Sequence, residues 1–526
     1  MHLPRSFKRP PRYVLVSFLT SFGGFLFGMD TGIIGPVTVM TEYISRFGTQ
    51  SAVVHGAIVS SILVPAALSG FLAGYVADLF GRPRCIAVGA LIFGLGAAFE
   101  GGAVTLAMFV AGRCIEGFGE GLYLGTLVVY ICEITPPSQR GPLTTGPQLL
   151  LTFGLLAGYF TCYGTANLHS SLSWRTPFII LSSLSVLFSL VSALCLVQSP
   201  RWLTLRGQQA EAAAAWNMLQ VDEASRESQK TEDREKIAAH EAHDSMKFTD
   251  VADSKKAILP DNNGLKNRKS VSRVFDAFSA DVRARTFLAV FIMSMQQLSG
   301  IDGMLYYAPL IFQQAGINNA EASFLASGVS AIVILVATIP ATIFADKWGR
   351  RSSVVAGGLS MGITMLLIGA LYAAGAVHTS TGAARWVVIV AVYVYVVFFC
   401  ISWSVSCKVY AAEVQPQKTR ASATNLAHGA NWVTNFVVAL TTPVLLSRSD
   451  SGAYFLWAGC LLLTAVVCAI FMPETKGRSL DEIEMAFREE TMGSQARQKI
   501  YSGLFRLKSL RNAGKTRVSS GGIERA

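Results

Sequence analysis

Charge is scarce in this chain. Of its 526 residues only 15% are Asp, Glu, Lys or Arg, while 52% are hydrophobic, and the mean hydropathy is +0.44. An average soluble domain carries about 25% charged residues. Length alone would suit about three or four soluble domains of ~150 residues. A soluble surface this apolar would not stay wet, and a disordered chain needs the opposite balance. Catalytic signatures are missing too. There is no H-E-x-x-H or other metal-ligand spacing, no nucleophile motif and no phosphate-binding glycine loop, which argues against a membrane enzyme, so no cofactor or metal is expected. The nine cysteines fall almost entirely inside apolar runs and read as small packing residues. No N-x-S/T acceptor occurs. The N-terminal basic stretch (Arg5, Lys8, Arg9, Arg12) leads into an apolar run too long for a cleavable signal peptide.

What is present is a series of long apolar runs. A membrane span needs about 20 mostly apolar residues. Twelve segments qualify: 13–36, 56–78, 84–104, 106–132, 143–164, 176–197, 286–314, 322–345, 352–376, 386–411, 420–446 and 453–472. The expected fold class is therefore an all-α polytopic membrane protein. Its expected parts are an N-terminal stretch 1–12, a six-helix bundle 13–198, a polar linker 199–285, a second six-helix bundle 286–472 and a polar tail 473–526. Gln208 to Leu219 reads as a linker helix, and Asp261-Asn262-Asn263-Gly264 as a loop.

The net charge of +11 could suggest nucleic acid, but the basic residues sit at the ends of apolar runs and in polar segments. Membrane topology accounts for them, and no nucleic-acid partner is expected. With both termini inside, Arg5, Lys8, Arg9, Arg12, Arg82, Arg84, Arg140, Lys347, Arg350, Arg351, Lys418 and Arg420 all face the cytoplasm. The short outer loops hold only Arg46, Arg175, Arg385 and Arg448. That asymmetry fits the positive-inside rule.

The two halves repeat. Asp78-x-x-Gly81-Arg82 follows the second span, and Asp346-x-x-Gly349-Arg350 follows the eighth. Glu133 with Arg140 closes the fourth span, and Glu413 with Arg420 closes the tenth. Six-plus-six repeats joined by a central linker are a transporter architecture, with substrate held near the midplane. Each arginine can bridge to a carboxylate at the same inner face. Such clusters would latch the halves together in one state and release them in the other; the plainer reading is topology charge and helix capping.

These motifs carry a resemblance. The chain resembles a sugar porter of the Major Facilitator Superfamily, and is most similar to its fungal members, over about residues 14–480. The resemblance rests on Phe27-Gly28-Met29-Asp30-Thr31-Gly32, Gly74 through Arg82, Tyr130-x-x-Glu133, Arg140-Gly141, Gln148, Gln296-Gln297-Leu298-Ser299-Gly300, Tyr306-Tyr307, Asn431-Trp432 and Pro473-Glu474-Thr475-Lys476-Gly477. It implies two six-helix bundles moving by alternating access, with Glu474 in the cytoplasmic gate. The positions matching the family's sugar-binding groups are Gln148, Gln296, Gln297 and Asn431. Amides suit sugars because a hydroxyl both donates and accepts, and so does an amide. Tyr306, Tyr307 and Trp432 would offer flat faces to the sugar ring, form a gate, or simply pack.

Asp30 in the first span and Arg113 in the fourth are charges inside apolar runs, which are costly and usually functional. Proton-coupled members of the family resemble this chain in having that acid and that arginine. An acid beside an arginine keeps its charge; separated from it and desolvated, it takes a proton. Making and breaking the pair would couple transport to protons, whereas a static structural pair would not. Glu116 and Glu120 share a helical face with Arg113, and either could compete for it or carry the proton.

The chain departs from the family pattern in four places. The Gly-Pro-x-x-Trp usual before the tenth-span glutamate reads Ser404-Val405-Ser406-Cys407-Lys408, so a helix-bending pair is gone and a tryptophan has become lysine. Asp302 replaces an asparagine. Gln198 replaces the glutamate of the Pro-Glu-Ser-Pro-Arg motif. An ammonium at midplane depth must be paired, neutralised or used. Either Asp302 pairs with Lys408, or Lys408 meets a substrate carboxylate, or it snorkels away from the cavity.

The expected function is a proton-coupled monosaccharide symporter, with a sugar acid such as galacturonate as leading substrate. The alternatives are a neutral hexose or pentose symporter or facilitator with Lys408 and Asp302 a structural pair, a quinate-type transporter, and a nutrient-sensing transceptor. The expected partners are the small-molecule substrate, protons and the lipid bilayer. The protein is expected to be a multi-pass monomer of the plasma membrane. His428 reads as a hydrogen-bonded helix contact rather than a proton relay, and the basic tail from Gln498 to Arg517 as either disordered or laid on an anionic leaflet.

Overall fold

The computed structural model of the protein describes residues 10–223, 226, 278, 282–317, 320–344, 348–377, 382–416 and 419–476; of 137–138, 320–325, 420 and 421 it describes the backbone only. Asp346, the Asp261–Gly264 loop and the basic tail stretch lie outside the described residues.

Among the described residues, twelve helices are long and apolar enough to cross a membrane. They are span 1 (Arg12–Thr38), span 2 (Ala52–Phe80), span 3 (Arg82–Gly101), span 4 (Leu106–Ile134), span 5 (Gln139–Ala166) and span 6 (Leu172–Cys195) in the first half. The second half has span 7 (Arg283–Tyr306), span 8 (Ala326–Phe344), span 9 (Arg350–Ala373), span 10 (Ala384–Glu413), span 11 (Ser422–Arg448) and span 12 (Gly452–Phe471). A spanning segment must satisfy its own backbone polar groups, and a helix does so. The large exposed apolar side chains, such as Phe18, Leu68, Leu194, Val336 and Ile363, stand on these helices, as lipid-facing residues should.

Small residues set the closest crossings. Gly24, Gly28 and Gly32 recur every fourth residue on span 1 and lie against the carbonyls of Pro147, Leu151 and Leu155 on span 5; a Cβ at any of them would overlap those oxygens. Such stripes let helix backbones touch in a membrane. Each half has its own core, one around Leu26, Phe93, Tyr123 and Trp174, the other around Met293, Met361, Tyr395 and Trp457. The cores interlock at one end: Tyr159 packs into the second, while Tyr306 and Tyr307 pack into the first.

Span 7 is broken rather than continuous. Helix Arg283–Leu298 stops at Ser299, and Ile301–Tyr306 starts anew after Gly300, whose φ is 87°. Only glycine adopts that conformation freely, and a Cβ there would also overlap the Trp457 ring. Span 10 is irregular too. A wider π turn, Phe399–Trp403, separates Ala384–Phe398 from Ser404–Glu413. Although the helix-bending Gly-Pro pair is absent, this π turn interrupts the helix. After span 6, short helices Pro200–Leu205 and Gln209–Leu219 pack through Trp202, Leu203, Ala212 and Ala215, the second matching the expected linker helix.

Candidate transport site

Spans 1, 3 and 4 enclose a group of ionisable side chains in the first half. Arg113 Nη1 donates to Asp30 Oδ1 at 2.5 Å, joining spans 1 and 4 as expected. The same nitrogen lies 3.4 Å from Glu116 Oε2 and 3.8 Å from Glu100 Oε2. Arg113 Nη2 reaches the Val59 carbonyl at 3.5 Å. All of these side chains, and Glu120, are closed to solvent. Glu120 does not reach Arg113; both of its oxygens are buried without a hydrogen-bond partner. Glu100 is a member the sequence reading missed. It sits beside Gly101-Gly102 at the end of an apolar run, where a charge looks like a helix terminus.

In the second half, the break in span 7 and the face of span 11 form an amide network. Gln296 Nε2 donates at 3.0 Å to the carbonyl of Trp403, the last residue of the π turn of span 10. Asn431 Nδ2 donates to the Met293 carbonyl at 2.7 Å and to Gln296 Oε1 at 3.3 Å. Gln297 Nε2 donates to Asn431 Oδ1 at 3.2 Å, while Gln297 Oε1 is buried without a donor. Asn435, one turn beyond Asn431, is also buried, with Oδ1 unpartnered. It was not singled out, although an amide four residues on shares Asn431's face.

Lys408 points across to the first half. Its Nζ donates to Gln148 Oε1 at 3.1 Å, and the side chain is open to solvent. Among the described residues no carboxylate lies within ion-pair distance of it. A direct pair with Asp302, one of the three alternatives for Lys408, is thus not formed. Asp302 follows the break in span 7 and sits by Gln297 of its own span, so its charge acts on Lys408 only across a gap. His428 of span 11 lies within reach of the Lys408 charge.

The aromatic residues lie in the seam between halves. Tyr307 donates to the Ala439 carbonyl at 2.7 Å and meets His55 of span 2 edge-on at 5.3 Å. His55 Nε2 lies 3.0 Å from Thr38 Oγ1. Gly35 of span 1 abuts the Tyr306 carbonyl, and Tyr159 donates to the Leu305 carbonyl at 2.5 Å. Tyr306 and Tyr307 are buried, which makes them a closed seam and not faces open to a sugar in this conformation. Trp432 is half-buried, 6.2 Å from Phe27 of span 1.

The repeated charged motifs occupy the opposite end. Arg82 Nη2 donates to Glu133 Oε1 at 3.1 Å, its Nε lies 2.9 Å from Glu133 Oε2, and its Nη1 lies 2.7 Å from Asp78 Oδ1. Arg350 Nη2 meets Glu413 Oε1 at 3.2 Å, and Thr475 donates to Glu413 Oε2 at 2.7 Å. Glu474 accepts from the Arg350 backbone at 2.6 Å and the Ser352 backbone at 3.4 Å, capping span 9. Partial burial opposes the Glu474 charge, but backbone N–H groups of Lys476, Arg350, Ser352 and Arg351 outweigh it and hold its carboxyl below the usual glutamate range. Both expected arginine–glutamate pairs form, yet each closes within its own half and not between halves. The reason is geometric: each arginine begins the span beside its own glutamate's span. Arg140 is half-buried near the start of span 5; the Arg420 side chain and Asp346 lie outside the described residues.

Residues 16–487 match the family model described as Sugar (and other) transporter. The chain belongs to that family. Among similar members of the sugar transporter family, Hexose transporter 2 of Kluyveromyces lactis is 28% identical over 501 residues, covering 91% of this chain and 83% of the relative. Glucose transporter GlcP of Staphylococcus epidermidis is 29% identical over 483 residues, covering 91% and 98%. The inward open xylose transporter XylE from E. coli has the same fold, with a TM-score of 0.69 at 24% identity over 90% of this chain and 99% of that one. The proton:xylose symporter XylE bound to 6-bromo-6-deoxy-D-glucose gives 0.70 at 25%, with the same coverage. The protein is thus a multi-pass membrane sugar transporter with the Major Facilitator fold, in a family of transporters and not of enzymes.

Proposed function

We propose that the protein is a proton-coupled symporter of a monosaccharide bearing a carboxylate, a sugar acid of the galacturonate kind. The observation that carries this reading is Lys408: an ammonium between the halves, open to solvent, bonded to one neutral amide at 3.1 Å. A charge at that depth calls for a counter-charge, and a substrate carboxylate supplies one. Gln148, Gln296, Gln297 and Asn431 would read the hydroxyls, with Asp302 biasing Lys408. Relatives named as hexose and glucose transporters support a sugar cargo, and the neighbour titled as a proton:xylose symporter supports symport.

Asp30 would take the proton, since binding it loosens the contact with Arg113. The two bundles, 13–198 and 286–472, would rock about the site, with Tyr306, Tyr307 and Trp432 as the outer gate. The arginine–glutamate clusters with Glu474 would form the cytoplasmic one. Arginine placement supports cytoplasmic termini, and the family supports a plasma-membrane monomer.

A neutral hexose is the second reading, favoured by the amide network and by the named relatives. Uptake into sealed liposomes decides. Labelled galacturonate and glucose are compared with and without an inward proton gradient, for the protein and for Lys408→Trp. Gradient-dependent galacturonate uptake that Lys408→Trp abolishes supports the proposal. Glucose preference kept by Lys408→Trp establishes the neutral-sugar reading.

A further inference from the structure

Spans 3 and 4 are pressed together at two glycines. A Cβ on Gly96 would overlap the backbone of Glu116, and one on Gly112 would lie 2.8 Å from Glu100 Cγ. This approach sets the Glu100 and Glu116 carboxyls within hydrogen-bonding reach of each other. Two ionised carboxylates offer only acceptors, so a contact between them requires a proton on one. Both also face Arg113 Nη1, at 3.8 and 3.4 Å, the nitrogen already bonded to Asp30. Both Glu100 oxygens, Glu116 Oε1 and Arg113 Nε are buried without a hydrogen-bond partner.

One guanidinium cannot balance four ionised carboxyls in a site closed to water, because each uncompensated buried charge costs several kcal/mol. Among the described residues, no second Lys, Arg or His lies within ion-pair distance of these carboxyls. Tyr43 faces Glu100 and Arg113 from the segment after span 1. Cys114 and Tyr123 flank the glutamates on span 4. Tyr306 and Tyr307 approach from the other half. Arg175 of span 6 is turned to the Gly101 and Ala103 carbonyls, at 2.7 and 2.9 Å.

We infer that Glu100 and Glu116 share one proton and serve as the reserve counter-ion of Arg113, balancing its charge whenever Asp30 is protonated. When a proton from solvent forms an O–H bond on Asp30, the pair gives none away. With Glu120 neutral, the cluster goes from one net negative charge to none, and Arg113 shifts its contact to the pair. The acid that couples is thereby separated from the acids that keep the arginine buried. The use of this device in transport rests on the proton-coupled reading; the charge balance does not.

The test uses the full-length protein in detergent and needs no flux. Thermal unfolding is compared for Asp30→Asn, for the Glu100→Gln/Glu116→Gln pair, and for the three together. The expected result is a drop of a few degrees for each of the first two and a much larger drop, or no folded protein, for the triple variant. Additive drops overturn the inference, as does an Asp30→Asn variant already as unstable as the triple or unable to fold. Infrared spectroscopy at neutral pH gives a second reading. A deuterium-sensitive band of a protonated carboxyl should vanish in the Glu100→Gln/Glu116→Gln variant while one remains in Glu120→Gln; an unchanged spectrum in the former overturns the shared proton. If the non-additive pattern holds while liposome uptake ignores the proton gradient, the symport reading falls and the reserve pair stands.

Discussion

The Lys408 ammonium donates to the Gln148 amide oxygen at 3.1 Å, joining span 10 of one half to span 5 of the other. The bond is charge-assisted, and such bonds are stronger than neutral ones. On the alternating-access reading, the halves would part across this bond. A substrate carboxylate that displaced Gln148 would exchange a bond between halves for one to the cargo.

Gln148→Glu places a carboxylate permanently against Lys408. It should compete with an acidic substrate and tighten the link between halves. The apparent KM for galacturonate in liposome uptake should rise at least about tenfold, the factor for ~1.4 kcal/mol. An unchanged KM would remove Lys408 from acidic-substrate binding.

Gln198 and Glu474 occupy matching places in the two halves. Gln198 Oε1 lies against Gly81, just before span 3, and is buried without a donor. Glu474 caps span 9 with a carboxylate. A helix start favours negative charge by about 0.3–1 kcal/mol, so Gln198→Glu should stabilise the present conformation. The expected result is a higher Tm and uptake slower by up to about fivefold, the rate equivalent of ~1 kcal/mol.

Glu474 also sets a pH dependence. Its carboxyl is held below the usual range in the folded protein by backbone N–H groups. The unfolded chain therefore binds the proton first as pH falls. The stabilisation is complete above the unfolded value and is lost as pH drops through the folded one. The Tm advantage of the native protein over Glu474→Gln should be constant near neutrality and shrink through and below the ordinary glutamate range. An advantage that grew on acidification would contradict the capping role.

Gly300→Ala should be severe for two separable reasons. The φ of 87° costs a non-glycine residue about 1–2 kcal/mol. The added methyl must also displace the Trp457 ring. Loss of monodisperse protein, or a Tm drop well beyond the backbone cost alone, is expected. The Trp457→Phe background should recover part of it, because the six-membered ring leaves more room.

Twelve spans, the doubling of the chain and the Asp30–Arg113 pair were legible in the sequence. Apolar run length fixes a span, a repeated motif marks each half, and two opposite charges inside apolar runs have few partners available. Helical periodicity likewise placed Glu116 on the Arg113 face. Periodicity fixes which residues share a face, but not which helix that face meets. Only the tertiary structure put Glu100 beside Glu116, because that depends on spans 3 and 4 crossing at Gly96 and Gly112. Only it gave Lys408 to Gln148 and not to Asp302, since the break at Gly300 sets where Asp302 sits. The same holds for the arginine–glutamate clusters. Their residues were named by the repeat, but whether they close within a half or between halves is a property of the conformation, which helix packing decides.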